Sequence, residues 1–154
     1  MIMRKCLAIG LLFCALCALA GGSDEEVVTQ FNEVLQAAGE KVLTSEADLQ
    51  GTRTFGEDGY VGTYQAQYDG FTGEETVFGG TALERDAGNE VTLSCTLTLA
   101  EGTAQVLFQS GDHPPEVLCD TAGSHSATLS LPSGGNYIIV QAENATGSIQ
   151  LTVE

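Results

Sequence analysis

The sequence contains no tryptophan, three prolines and five basic residues, and these scarcities exclude several kinds of protein. Because prolines are few, no proline-rich linker divides the chain, and without an internal repeat its 154 residues predict one folded domain. The five Lys and Arg residues face 21 Asp and Glu residues, which gives a formal net charge of −16. A surface so acidic repels nucleic acid and anionic membranes, so we expect neither as a partner.

Long apolar runs are also scarce, and the longest lies at the start of the chain. Arg4 and Lys5 precede about 15 uncharged residues that close on Ala18-Leu19-Ala20. This order predicts a secretory signal peptide over residues 1–20, and hence a secreted, extracellular protein. The run is shorter than the roughly 20 residues that a membrane-spanning helix needs, so we expect no membrane span.

Cysteines near the end of this run leave lipid anchoring as an alternative. A bacterial lipoprotein is modified at a cysteine that follows a small residue. In this chain Cys14 follows Phe13 and Cys17 follows Leu16, so the small residue is missing in both places. The local sequence therefore favours secretion, and a lipoprotein held at the cell envelope is the rival location.

Residues 21–44 have the pattern of an N-terminal amphipathic α-helix. Ser23 and Glu26 have the spacing at which two side chains cap each other's backbone amides. Apolar residues then recur at helical spacing and form one stripe, which must pack against another surface. The stripe consists of Val27, Phe31, Val34, Leu35, Ala38 and Val42.

From residue 45 to residue 154 the pattern changes to that of β-strands. Short β-prone segments alternate with turns rich in Gly, Asp, Asn and Pro, which is typical of an antiparallel sheet. We therefore predict a mainly β domain over residues 45–154, an antiparallel β-sandwich of jelly-roll-like form. The expected strands lie around residues 49–55, 60–69, 75–83, 90–99, 103–109, 116–120, 125–131, 136–143 and 147–153.

Two cysteines follow the expected cleavage site, Cys95 and Cys119. Cys95 shares one face of its strand with Val91 and Leu93, and Cys119 shares a face with Val117, so both are expected to point into the core. Two inward cysteines in an oxidising compartment predict a disulfide between Cys95 and Cys119. Two unpaired buried thiols are the alternative.

The segment "GYVGTYQAQYDGF" places three tyrosines on one face of a strand, Tyr60, Tyr64 and Tyr68, with Gly62 and Ala66 between them. An aromatic row spaced by small residues suits stacking on a flat sugar or peptide, which makes it a possible ligand face. The other interpretation is that the tyrosines belong to the core. The more polar character of the opposite strand face favours that interpretation.

The second half of the chain resembles the small β-sandwich modules of secreted bacterial proteins. A Gly-Asn turn precedes a strand, a Gly-x-Tyr-x-Ile-Val strand follows, and a Gly-Ser hairpin returns to the last strand. The matching residues are Gly88, Asn89, Gly135, Tyr137, Ile139, Val140, Gly147, Ser148, Ile149 and Leu151. The pre-peptidase C-terminal type of domain looks like this, as do small Gram-positive lipoproteins of unassigned role. Because these motifs are turn and strand devices, the resemblance implies a β-sandwich and no particular activity.

Residues suited to catalysis or metal binding are not arranged in dedicated motifs. No serine lies in a G-x-S-x-G sequence, and the short ligand spacings of zinc sites do not join His113 or His125 to Cys95 or Cys119. The turns "GEDGY" and "DAGNE" lack the spacing of a dedicated calcium loop, so calcium is only an open alternative to ordinary acidic turns. We expect no cofactor and no enzyme.

These patterns together predict a secreted, non-catalytic β-sandwich module that binds an extracellular ligand, either a glycan or a protein. They do not specify that ligand. A lipid-anchored accessory protein of the envelope is the first alternative, and a hydrolase is the second.

We predict that secretion releases a mature chain that begins at Gly21, because Ala18 and Ala20 form the small-residue pair that signal peptidase recognises. Intact-mass measurement of the exported protein checks this. A mature chain that begins at Cys17 and carries a diacylglycerol group would contradict it and would support the envelope lipoprotein.

Overall fold

A computed structural model of the chain describes residues 42–81 and 84–154. The predicted signal peptide, and the predicted N-terminal helix up to residue 41, lie outside these described residues. Within them the chain forms strands and no helix, and accordingly no helix there is long and apolar enough to cross a membrane. The strands are β1 (Gly51–Phe55), β2 (Gly62–Gly80), β3 (Glu90–Ser110), β4 (Glu116–Cys119), β5 (Gly123–Ser130) and β6 (Asn136–Val153).

All six strands belong to one antiparallel sheet. Its neighbours run in the order β1, β2, β6, β3 and β4, while β5 pairs with another part of β3. The prediction of a mainly β, antiparallel domain is confirmed. Strands β2, β3 and β6 have 19, 21 and 18 residues, several times the usual length of about 5 to 6.

Three of the strands differ from the prediction because each joins two expected strands into one. The glycines that looked like strand ends lie instead at β-bulges, where an extra residue bends a strand without ending its hydrogen bonding. The joined parts of the expected strands are 62–69 with 75–80 in β2, 90–99 with 103–109 in β3, and 136–143 with 147–153 in β6.

The bends of the three long strands lie side by side and are tied to one another. The backbone N–H of Gly70 in β2 donates to Oγ1 of Thr146 in β6, at 3.0 Å. The N–H of Asn144 donates to Oγ1 of Thr72, at 2.8 Å. On the other side of β6, the Cα of Gly102 in β3 lies against the carbonyl oxygen of Asn144. The sheet therefore bends across all three strands at one level.

The bends divide the sheet into two half-sheets. The first half-sheet contains β1, β5 and residues 62–68, 90–99 and 147–153 of the long strands. The second half-sheet contains β4 and residues 71–80, 103–110 and 136–145. Side chains from the two meet in the interior, so the layers expected of a two-sheet sandwich are halves of one folded sheet.

Alternation along the strands separates this interior from the surface. In β3, Val91, Leu93, Cys95 and Leu97 are buried and the residues between them are exposed, as the sequence predicts. Val117 is an exception, since half of its side chain is exposed (50%) although it was expected to share the buried face of Cys119. The cause is a register shift: β4 has one extra residue where it pairs with β3, and that residue breaks the alternation.

A matched pair of glycine substitutions tests the bends. Gly102 and Gly70 have similar positive φ angles, 72° and 64°, so Gly→Ala costs about 1–2 kcal/mol of backbone strain at either position. A Cβ on Gly102 would also overlap the Asn144 carbonyl, whereas one on Gly70 meets nothing within 4 Å.

We therefore predict that Gly102→Ala lowers the free energy of unfolding clearly more than Gly70→Ala does, as measured by chemical denaturation. Equal losses for the two variants would show that close packing at the β3 bend is unimportant.

Candidate functional site

The three tyrosines of the possible ligand face lie inside the protein. Tyr60, Tyr64 and Tyr68 are 3%, 0% and 4% exposed. They line the inner face of β2 or the turn before it, together with the buried Ala66, while Thr63, Gln65 and Gln67 on that strand point outward. Because a ring enclosed between two half-sheets cannot stack on a ligand, this row is core and the predicted ligand face is not a surface.

The tyrosines surround a buried carboxylate that was not singled out in the sequence. Glu75 in the second half-sheet is 1% exposed. Its Oε2 accepts a hydrogen bond from the Tyr64 hydroxyl and another from the Tyr68 hydroxyl at 3.2 Å, and its Oε1 accepts the N–H of Gln50 at 2.5 Å. The sequence contained one sign that Glu75 is buried: strand alternation places it on the same face as Val77, which is buried.

Burial controls the protonation of this cluster. Burial raises the pKa of the Tyr64 hydroxyl, and its hydrogen bond to Glu75 raises that pKa further. Burial also raises the pKa of Tyr68, and the Glu75 charge adds to the shift. Both hydroxyls therefore remain protonated donors at neutral pH. The cluster acts as a polar clamp between the half-sheets, since the tyrosines come from the first and the carboxylate from the second.

Both basic residues of the described part are engaged inside the fold. The Arg53 guanidinium donates to the carbonyl of Val77 at 3.1 Å and of Thr44 at 2.8 Å, and it pairs with the carboxylate of Glu46 at 2.8 Å. Its carbon Cζ lies 4.7 Å from the centre of the Phe55 ring. These contacts hold the segment before β1 against β2.

Arg85 joins the two acidic turns that were considered for calcium. Its Nε pairs with Oδ2 of Asp58 in "GEDGY" at 2.8 Å, and its Nη1 donates to the carbonyl of Gly88 in "DAGNE" at 2.8 Å. The guanidinium carbon lies 5.3 Å from the centre of the Tyr60 ring. One oxygen of each turn, Oδ2 of Asp58 and the carbonyl of Gly88, is thus bound by an arginine. Within the described residues, no group of three His, Cys, Asp or Glu side chains is arranged to hold a metal ion.

Cys95 and Cys119 face each other across the interior. Both are buried, and their Sγ atoms lie 3.5 Å apart, a non-bonded distance well above the roughly 2.05 Å of a disulfide. The structure has both as free thiols, so the predicted disulfide is not formed in it. Burial, helped by the neighbouring Cys119 thiol, raises the pKa of Cys95 to about 12. The thiol is therefore protonated at neutral pH and is a weak nucleophile.

The two histidines are not brought together with these cysteines in a metal-binding group. His113 is exposed in the loop before β4, and its carbonyl accepts a hydrogen bond from Gln109. His125 lies on β5, with its Nε2 2.8 Å from the carbonyl of Thr121.

The outer face of the first half-sheet is a broad surface of uncharged polar side chains. Five neighbouring strand segments contribute to it, and their pairing aligns the side chains in rows such as Thr52, Gln65, Gln150, Thr96 and Ser124. We call this surface the neutral face. It comprises Thr52, Thr54, Thr63, Gln65, Gln67, Thr92, Ser94, Thr96, Thr98, Ser124, Ser126, Thr128, Ser148, Gln150 and Thr152, all exposed or half-buried.

Most hydrogen-bonding groups of the neutral face are unused by the described protein. In the described residues, these side chains make one side-chain hydrogen bond, between the hydroxyls of Thr96 and Ser124 at 3.4 Å. The second half-sheet provides a contrast, because Gln105 there donates to Gln141 at 2.6 Å and Gln141 donates to Glu74 at 3.1 Å.

A shallow groove of about 390 Å³ lies on the part of the neutral face formed by β1, β2 and β6, and Thr52, Gln65, Gln67, Ser148 and Gln150 are among its lining residues. Two other surface grooves contain charged groups. The one on the second half-sheet includes Asp120 and Glu143, and the one beside β1 includes the Glu46–Arg53 ion pair. The groove on the neutral face therefore differs from the other two: none of its lining residues is charged, and its amides and hydroxyls make no side-chain hydrogen bond in the described residues.

Comparison with known proteins finds similarity at the level of solved structures. No family model matches the chain, and no curated protein matches it. The pre-peptidase C-terminal domain of a Bacillus anthracis collagenase is 12% identical, with 68% of this chain and 85% of that chain covered and a TM-score of 0.35. A carbohydrate-binding module of Cellvibrio mixtus lichenase 5A, solved with cellotriose, is also 12% identical, with 75% and 93% covered and a TM-score of 0.35.

A third similar structure is PliG of Aeromonas hydrophila, a periplasmic inhibitor of g-type lysozyme. It is 15% identical, 66% of this chain and 92% of that chain are covered, and the TM-score is 0.35. The structures similar to this chain thus include the type of domain that its sequence resembles. No residue's role is transferred from them.

We predict that Tyr64→Phe lowers the free energy of unfolding by about 1–3 kcal/mol, because it removes a donor to a buried carboxylate while it keeps the ring. Tyr137→Phe is the matched control, since the Tyr137 hydroxyl makes no side-chain hydrogen bond in the described structure and a change of under about 0.5 kcal/mol is expected. Urea denaturation measures both. A loss for Tyr64→Phe no larger than that of the control would contradict a stabilising clamp.

Proposed function

We propose that the chain is a secreted, non-catalytic binding module whose ligand docks on the neutral face. The observation that carries the proposal is the difference between the inside and the outside of the first half-sheet. Inside, the polar and titratable side chains bind one another: the Glu75 carboxylate binds the tyrosine hydroxyls, and the two cysteine thiols face each other. Outside, hydroxyls and amides on five adjacent strand segments are exposed and, apart from Thr96 with Ser124, lack a side-chain hydrogen bond in the described protein.

The interior groups favour a structural role. General acid or base catalysis requires a titratable group within hydrogen-bond reach of a substrate. Glu75 is enclosed by Tyr64 and Tyr68, and the Cys95 thiol is buried with a pKa of about 12. None of these four side chains is open to a substrate in the described structure.

The surface favours binding by many weak contacts. A sheet face with aligned rows of donors and acceptors can contact an extended ligand at several points. Each hydrogen bond contributes only about 0.5–1.5 kcal/mol net, so useful affinity needs several of them at once. The neutral face supplies such a set on a rigid support.

The proposal predicts retention without turnover. The purified mature chain, passed over immobilised neutral polysaccharides, anionic polysaccharides and extracellular proteins, should be retained on at least one matrix and should release no soluble product from it. Depletion of protein from the supernatant measures binding, and reducing-sugar and free-amine assays measure turnover. Product release that disappears on substitution of a carboxylate in the chain would contradict the non-catalytic assignment and favour a hydrolase.

We also propose that the Cys95–Cys119 pair becomes a disulfide in the oxidising compartment that the predicted signal peptide implies, by exchange with a disulfide of that compartment, which takes up the two electrons and two protons that the thiols lose. The two thiols already face each other, and closing the bond requires the sulfurs to approach by less than 2 Å from their 3.5 Å separation. The bond would join the first half-sheet to β4 of the second.

We predict that protein exported to an oxidising compartment unfolds with a free energy about 3–4 kcal/mol higher before reduction than after it, on the loop-entropy account. The double variant Cys95→Ala/Cys119→Ala is the control and should not respond to reductant. Two thiols that react with a labelling reagent in the unreduced, denatured protein would rule the disulfide out.

A further inference from the structure

We infer that the ligand of the neutral face is an uncharged, hydroxyl-rich polymer, a neutral polysaccharide chain that lies across the strands at the groove containing Gln65 and Gln150. The inference rests on the proposed function and specifies its ligand class.

The neutral face lacks charge although the chain as a whole is strongly acidic. The chain has a formal net charge of −16, yet none of the side chains of the neutral face is ionisable between pH 4 and 10. Carboxylates occur only at its borders: Asp69 at the bend of β2, Glu90 at the start of β3 and Glu154 just after β6. An anionic ligand would be repelled by the whole molecule, and a cationic one would be drawn to carboxylates elsewhere. A neutral ligand experiences neither force.

The side chains of the neutral face have the same hydrogen-bonding capacity as a sugar. A Ser or Thr hydroxyl both donates and accepts, and a Gln amide offers two donors and an acceptor. Sugar hydroxyls have the same dual capacity. Gln65 and Gln150 are aligned partners on β2 and β6, both line the groove, and neither makes a side-chain hydrogen bond in the described protein. Their amides are therefore available to a ligand in the groove.

Protein ligands fit this surface less well. The centres of protein–protein interfaces are enriched in Met and Arg, and the neutral face contains neither of these. A second copy of the chain is disfavoured further, because its net charge of −16 would repel an equal charge. A polysaccharide is the occupant that matches both the polarity and the lack of charge.

Two matched double variants test the inference. Gln65→Ala/Gln150→Ala removes the unpartnered amide pair of the neutral face. Gln105→Ala/Gln141→Ala removes the equivalent aligned pair on β3 and β6 in the second half-sheet, where the amides bind each other. Affinity electrophoresis of the mature chain uses gels that contain hydroxyethylcellulose, galactomannan or, as the anionic comparison, polygalacturonate. Thermal unfolding checks that both variants are folded.

We expect retardation of the wild-type chain in at least one neutral gel and not in polygalacturonate. The Gln65/Gln150 variant should bind about tenfold more weakly, as expected for one or two lost hydrogen bonds, while the Gln105/Gln141 variant binds as the wild type does. Neutral binding that the Gln105/Gln141 change weakens instead, or that neither change affects, would overturn the neutral face as the docking surface, both here and in the proposed function, but would still support a binding module.

Retardation in polygalacturonate alone, or retention on a protein matrix alone, would overturn the neutral-polysaccharide class and still support a binding module. No retention on any polysaccharide or protein matrix would contradict both the inference and the proposed function.

Discussion

Neighbouring strands that share hydrogen bonds can bend only together, and the structure of this chain depends on that constraint. Strands β2, β6 and β3 lie side by side and stay paired on both sides of their bulges, so a bend in one of them is shared by its neighbours. Gly102 allows the required close approach to Asn144 on the adjacent strand. The common bend turns one sheet into two facing layers and creates the buried interior.

The interior that results is not purely apolar. Glu75 is enclosed between the layers, where an unpaired carboxylate would be strongly destabilising. Hydroxyl donors from Tyr64 and Tyr68 and the backbone N–H of Gln50 satisfy it. The tyrosine donors belong to the first half-sheet and the Glu75 acceptor to the second. The cluster therefore satisfies the buried carboxylate and also fixes how the two half-sheets pack against each other. Arg53 and Arg85 have a comparable role, since Arg53 binds the backbone carbonyls of Val77 and Thr44, and Arg85 joins the carboxylate of Asp58 to the turn that contains Gly88.

Burial of the two arginines also determines the character of the surface. With both guanidinium groups inside, the formal charges exposed by the described residues are those of carboxylates. These lie mainly in turns, at strand ends and on the second half-sheet, so the outer side of the first half-sheet remains neutral. This separation of charge from neutral hydroxyls and amides is the feature that gives one face of the molecule a distinct binding chemistry.

Local pattern was sufficient to predict that the described chain is antiparallel β-structure and that Cys95 points inward. Alternation has a period of two and is visible in any short segment. It could not show that glycines within β2, β3 and β6 mark bends rather than ends, nor that an extra residue in β4 turns Val117 outward. Whether the Tyr64 row is core or surface, and which carboxylate it binds, was decided by the tertiary structure alone, because a strand's sequence shows its two faces but not what covers them.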